Sequence, residues 1–150
     1  MPQSLSKIYL HIIFSTRDRK PILFRELQNE LYSYLATGCN EHGSYASKIG
    51  GTTNHVHVAT TLPRTIPVSK LVEEIKKSSS KWIKTKDTRL HTFSWQKGYG
   101  VFSVGQSQLP NLIKYTEQQE NHHRRKSFKE EYLEFLKKYQ IEYDEQYLWD

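Results

Sequence analysis

The sequence predicts an α+β domain: a ferredoxin-like antiparallel sheet with two helices on one face, followed by two further helices. Three observations carry that expectation. Apolar residues alternate at period two in some short runs and recur at helical period in others. The runs follow the order strand, helix, strand, strand, helix, strand, the split arrangement also seen in RNA-recognition domains. The length of 150 residues, with 36% hydrophobic and 25% charged, suits one core, so residues 1–150 read as a single folded domain.

The first element spans Lys7 to Ser15. Ile8, Leu10, Ile12 and Phe14 share one face, and Tyr9, His11 and Ile13 the other, as a strand buried on one side requires. Thr16 to Pro21 is a basic turn. Phe24, Leu27, Leu31, Tyr34 and Leu35 recur at helical spacing, with Gly38 or Gly43 as the stop. Ala46–Gly51 and His55–Leu62 read as strands joined by the turn Thr52-Thr53-Asn54. Val68, Leu71, Val72, Ile75, Ser79, Trp82 and Ile83 line one face of a second helix, whose other face is lysine-rich. Lys86 to Gln96 reads as loop and Gly98–Val104 as the last strand. Ser107–Asn121 is expected as one helix, with Pro110 tolerated in its first turn. Ser127-Phe128-Lys129-Glu130 is a capping box that opens a final helix striped by Phe128, Tyr132, Phe135, Leu136 and Tyr139. The tail from Gln140 to Asp150 is expected as a docked segment.

Composition narrows the function classes. The formal net charge is +6 and the pI about 9.3, which favours a polyanionic partner through counterion release. Ten tyrosines in an aromatic share of 13% suit stacking on bases. Cys39 is the only cysteine, which excludes an internal disulfide and a cysteine-rich metal site. No apolar run approaches a bilayer span, and Met1–Lys7 lacks the layout of a secretory signal. The expectation is a cytoplasmic protein with no membrane partner.

His55 and His57 are two apart on a strand, so both imidazoles face one side, while Val56 and Val58 face the helix-covered side. On the open face the pair can ligate one ion, or be two ordinary surface histidines. In the later helix Tyr115 and Gln119 are four apart and share a face. Laid across the open sheet face, Gln119 would offer an amide oxygen to a hard cation and Tyr115 a phenol to a phosphate. Alone, that helix reads as a solvated element with one tyrosine half-buried at its rim.

Together, Asn54-His55-Val56-His57 and Tyr115-Thr116-Glu117-Gln118-Gln119 resemble the single-tyrosine HUH transposases of bacterial insertion sequences, relatives of the REP-associated tyrosine transposases. Leu10–Arg17, Phe93–Gly100 and Gln119–His123 extend the similarity along nearly the whole chain. The resemblance implies a DNA transposase that binds hairpin ends and cleaves and rejoins single-stranded DNA. Tyr115 would be the nucleophile, forming a 5′-phosphotyrosine. His55, His57 and Gln119 would hold Mg²⁺ or Mn²⁺, the two imidazoles arguing mildly for Mn²⁺ as a good substitute. No nucleotide cofactor is needed, since the covalent link conserves the phosphodiester energy. The family pattern implies a homodimer in which the tyrosine helix of one subunit completes the other's site, with Gly98, Gly100 and Gly105 as flexible joints.

The phenol proton needs an acceptor, for which His11, His122, His123 and a metal-bound hydroxide all stand as candidates. Arg17, Arg19, Lys20, Arg124, Arg125 and Lys126 are the expected DNA contacts, with Lys76, Lys77, Lys81 and Arg89 as further basic candidates. The alternatives are a domesticated hairpin-specific endonuclease with the same chemistry, a non-catalytic ferredoxin-like nucleic-acid-binding module, and a protein that only dimerises through its sheet.

Overall fold

The computed structural model describes residues 2–150. Four strands, β1 (Tyr9–Ser15), β2 (Ala46–Gly51), β3 (His55–Thr61) and β4 (Gly100–Val104), form one antiparallel sheet in the order β2-β3-β1-β4. This is the expected ferredoxin-like arrangement. Helices α1 (Arg25–Glu41) and α2 (Val68–Lys86) cover one face. Among the described residues no helix is long and apolar enough to cross a membrane.

The period-two pattern decides which side chains meet those helices. Leu10, Ile12 and Phe14 of β1 and Val56 and Val58 of β3 join Leu27, Leu31 and Leu35 of α1 and Leu71, Ile75 and Ile83 of α2 in one core. Each such side chain contributes about 1.5–3 kcal/mol by leaving water. The 86–96 stretch expected as loop is part of this core. It carries a 3₁₀ turn at Thr88–Leu90, and Leu90, Phe93 and Trp95 are buried. Trp95 donates its indole N–H to Ser79 Oγ at 2.9 Å, and the Gln96 side chain accepts from the Ser15 N–H, also at 2.9 Å. Apolar content in that stretch, outside any period, belonged to an ordered strap.

The opposite face departs from expectation, because it is not open. Helix α3 (Leu109–Glu117) crosses it against β2 and β3, and α5 (Phe128–Lys138) packs on Ile13 and Phe102 through Phe128, Tyr132 and Leu136. Two glycines permit this. A Cβ on Gly50 would sit 2.3 Å from the carbonyl oxygen of Thr116 in α3, and one on Gly100 would sit 2.9 Å from the Tyr132 hydroxyl in α5. Gly100 is therefore a packing glycine rather than a joint. The helix expected over 107–121 breaks at Gln118 (φ −100°, ψ 22°), separating α3 from the single turn α4 (Gln119–His122). The capping box forms as read, with Ser127 Oγ accepting from the Glu130 N–H at 3.2 Å. The tail docks through α6 (Glu145–Leu148) and Trp149, whose ring lies 5.8 Å from that of Tyr132.

Candidate metal and tyrosine site

The β1–β3 register sets His55 opposite Ser15 and His57 opposite Ile13, on the face beneath α3 and α5. Both imidazoles are fully buried, not exposed as the sequence suggested. The break at Gln118 brings Gln119 down onto them. Its Oε1 lies 3.0 Å from His55 Nε2, while its amide donates to the Tyr115 carbonyl at 3.3 Å. The structure therefore gathers Tyr115, His55, His57 and Gln119 at one place, all from one chain.

Two further residues complete the cluster. Glu131, from the first turn of α5, is buried. Its Oε1 lies 3.1 Å from both His57 Nε2 and His123 Nε2 and 3.7 Å from His55 Nε2. Its Oε2 accepts from the Tyr115 hydroxyl. His123 Nε2 also lies 3.1 Å from Gln119 Oε1. Ligand atoms of His55, His57, His123 and Glu131 all fall within 4.8 Å of one another. None of the three histidines expected as proton acceptors bonds the phenol: His122 stacks on the Tyr115 ring at 4.5 Å, and Glu131 takes the hydrogen bond. Glu131 was legible in principle, since it stands three residues after Phe128 and four before Phe135, a carboxylate inside an apolar stripe.

The donor set fits a divalent ion. Ligands about 2.1 Å from an ion and at right angles lie about 3 Å apart, which matches the 3.0 and 3.1 Å separations. Asn54 Oδ1, an acceptor 2.8 Å from His55 Nδ1, assigns the ring proton to Nδ1. Nε2 then turns a lone pair toward Gln119 Oε1, itself an acceptor, an arrangement that a bound cation would satisfy. Burial, with His57 and His123 close by, holds His55 well below the usual imidazole pKa, so it stays in the neutral ligating form. His11 Nε2 and His57 Nδ1, 2.7 Å apart, share one proton, and burial followed by His57 likewise depresses His11.

The carboxylate and phenol are shifted in opposite directions. Burial alone would raise Glu131, but the hydrogen bonds from His123 and His57 outweigh it and leave the acid well below its usual range. Burial, then the neighbouring Glu131 charge, pushes Tyr115 above its usual value of about 10.

The basic residues divide. Arg124, Arg125 and Lys126 line a cleft of about 650 Å³ that opens onto Tyr115, His123 and Glu131. Lys126 is paired there with Glu134 at 2.6 Å. Arg17 and Lys20 stand at a separate cleft beside Arg89. Arg19 is held over the Trp149 ring and donates to its carbonyl at 3.3 Å. Arg89 is tied to Asp87 and Glu26. Lys76 donates to the carbonyls of Gln96, Lys97 and Gly98 at 2.6, 3.2 and 2.9 Å and so braces the strap.

Residues 4–119 match the family described as Transposase IS200 like, a span that holds His55, His57, Tyr115 and Gln119 and ends before His123 and Glu131. Among solved structures, a Deinococcus radiodurans R1 protein described as a transposase superposes with TM-score 0.61 at 19% identity, covering 79% of this chain and 98% of that one. A REP-associated tyrosine transposase bound to a REP hairpin gives TM-score 0.60 at 16% identity, covering 82% and 73%. At such identities these likenesses speak for the fold. No curated protein matches the chain. With more than three-quarters of its length inside the family match, the chain belongs to the IS200-like transposases.

Proposed function

We propose that this transposase cleaves and rejoins single-stranded DNA carrying hairpin ends, with Tyr115 as nucleophile. One observation carries the reading: a single buried carboxylate, Glu131, bonds the Tyr115 hydroxyl through one oxygen and meets the candidate metal ligands through the other. Nucleophile and ion site are thus joined side by side.

In this reading His55, His57 and Gln119 hold a divalent ion, and His123 and Glu131 extend the set. Mg²⁺ or Mn²⁺ would polarise the scissile phosphate and stabilise charge growing on its oxygens. Three imidazoles shift the preference further toward Mn²⁺ than the two read from sequence. Glu131 Oε2 is placed to receive the phenol proton as Tyr115 Oη attacks phosphorus. The Oη–P bond forms, the bond to the 3′ oxygen breaks, and a free 3′ hydroxyl leaves a 5′-phosphotyrosine. Attack by a 3′ hydroxyl on that link reseals the strand without a nucleotide cofactor. Arg124 and Arg125 flank this point and supply phosphate contacts. The burial of the histidines and their convergence on the tyrosine favour chemistry over a binding-only module.

The test mixes purified protein with hairpin-bearing single-stranded DNA and Mn²⁺ on a denaturing gel. A covalent adduct is expected with the native sequence and is absent with Tyr115→Phe and His57→Ala. An adduct that survives Tyr115→Phe refutes the assignment. Mixing those two variants addresses assembly: no recovery fits a site built within one chain, and recovery establishes the dimer with shared sites.

A further inference from the structure

Tyr115 is the common wall of two clefts with different chemistry. One is the basic cleft of Arg124, Arg125 and Lys126. The other, about 530 Å³, lies toward the β4 edge between α3 and α5. Its walls are the half-buried rings of Phe135 and Tyr139, its mouth carries Gln108 and Asn111, and Lys138 is its one cation. Phe135 is fixed rather than free. It stacks on Phe102 at 5.4 Å and meets the His11 ring edge-on at 5.1 Å. Tyr139 is pinned by donating its hydroxyl to the Ser103 carbonyl at 2.9 Å. Asn111 Nδ2 donates to Gln108 Oε1 at 3.2 Å. That leaves Asn111 Oδ1 as a neighbouring acceptor and Gln108 Nε2 as a neighbouring donor, with no other partner among the described residues.

We propose that this aromatic cleft is a nucleobase site: it takes the base of the nucleotide next to the scissile phosphate, stacked against Phe135 and Tyr139 and paired with the Gln108–Asn111 amides. The inference rests on the reading that Tyr115 attacks a DNA phosphate. A strand that presents its phosphate to the Tyr115 hydroxyl must send one flank into each cleft. The basic cleft matches phosphates. The aromatic cleft has rings for a base plane and an adjacent donor and acceptor for its polar edge, with Lys138 left for that nucleotide's phosphate. Fixed rings suit the role, since little ordering is needed on binding.

The experiment uses Tyr115→Phe protein, which keeps the cleft wall and lacks the nucleophile. It is irradiated with a random single-stranded DNA pool containing halogenated analogues of all four bases, and crosslinked peptides are mapped by mass spectrometry. Crosslinks at Phe135 or Tyr139 are expected, and should fall about tenfold when Gln108→Ala and Asn111→Ala are added, both exposed positions. Crosslinks confined to other surfaces, or undiminished by the double substitution, overturn the base site. The native protein is run in parallel for its covalent adduct. An adduct without cleft crosslinks removes the base site and leaves the nucleophile standing. Cleft crosslinks without an adduct do the reverse, and the absence of both overturns both.

Discussion

Gly50→Ala should uncouple the nucleophile from the metal site. The added Cβ falls 2.3 Å from the Thr116 carbonyl oxygen, against 3.4 Å for ordinary contact. Both partners are backbone, so relief requires α3 to retreat from β2 by roughly 1 Å, taking the adjacent Tyr115 with it. A misplacement of that size costs on the order of 10²-fold in rate. His55 and His57 on β3 and Glu131 on α5 lie on other elements, and of the proposed ligands only Gln119 moves with α3, so Mn²⁺ binding should weaken less than the rate. The assay compares the rate of covalent DNA adduct formation on denaturing gels with Mn²⁺ affinity by calorimetry. Gly105→Ala is the control, because its Cβ would meet nothing within 4 Å. Adduct formation unchanged in Gly50→Ala, or lost equally in Gly105→Ala, would refute the reasoning.

Three other perturbations test separate parts of the structure. Glu131→Gln keeps the shape and removes the charge: Mn²⁺ affinity should fall by at least about tenfold, and adduct formation by about 10²–10⁴ through loss of the proton acceptor, so native rates would exclude that role. Metal-free protein should lose stability as pH falls below about 6.5. The folded pKa values of His11 and His55 are depressed, so below that point the unfolded chain binds more protons, at about 1.4 kcal/mol per pH unit per group. Glu131, also depressed, adds a loss of the same sign only below about 4.5, its unfolded value. Urea melts with EDTA at pH 7 and 5 check this, and equal midpoints would contradict it. Lys76→Met strips the brace from three carbonyls and should cost about 2 kcal/mol in urea unfolding. Burial lowers this lysine to about 8, yet three carbonyl acceptors favour its charged form, so an unaffected melt would show the brace to be idle.

What was legible in the sequence was whatever short-range periodicity controls. Period two in β1 and β3 put Val56 and Val58 in the core and turned His55 and His57 to the far face. The four-residue step aligned Tyr115 with Gln119, even though the helix breaks between them. Exposure was not legible, because it depends on where α5 docks, and nothing local to Phe128–Lys138 states that its stripe lies over Ile13 and Phe102. Glu131 went unread as a member of the site for the same reason, and His123 was read as a proton acceptor but not as a candidate ligand. The pairing of the basic residues was illegible for another reason. Composition counts charges but not their partners, and Arg19, Lys76, Arg89 and Lys126 are each taken up by neighbours within the chain.

The two sides of the sheet are unequal in kind. The α1–α2 side is sealed by a broad aliphatic layer, whereas the α3–α5 side is held by a smaller apolar cluster around Ile13, Phe102, Phe128, Tyr132 and Leu136 and by a knot of imidazole, amide and carboxylate. Such a layer draws its cohesion from specific bonds that solvent, ions and phosphates compete for, and it opens at lower free energy than the rest. Amides of α3 and α5 should then exchange with deuterium well before those of α1 and α2. On the proposed function, parting that half would admit a strand while the other half keeps the fold intact.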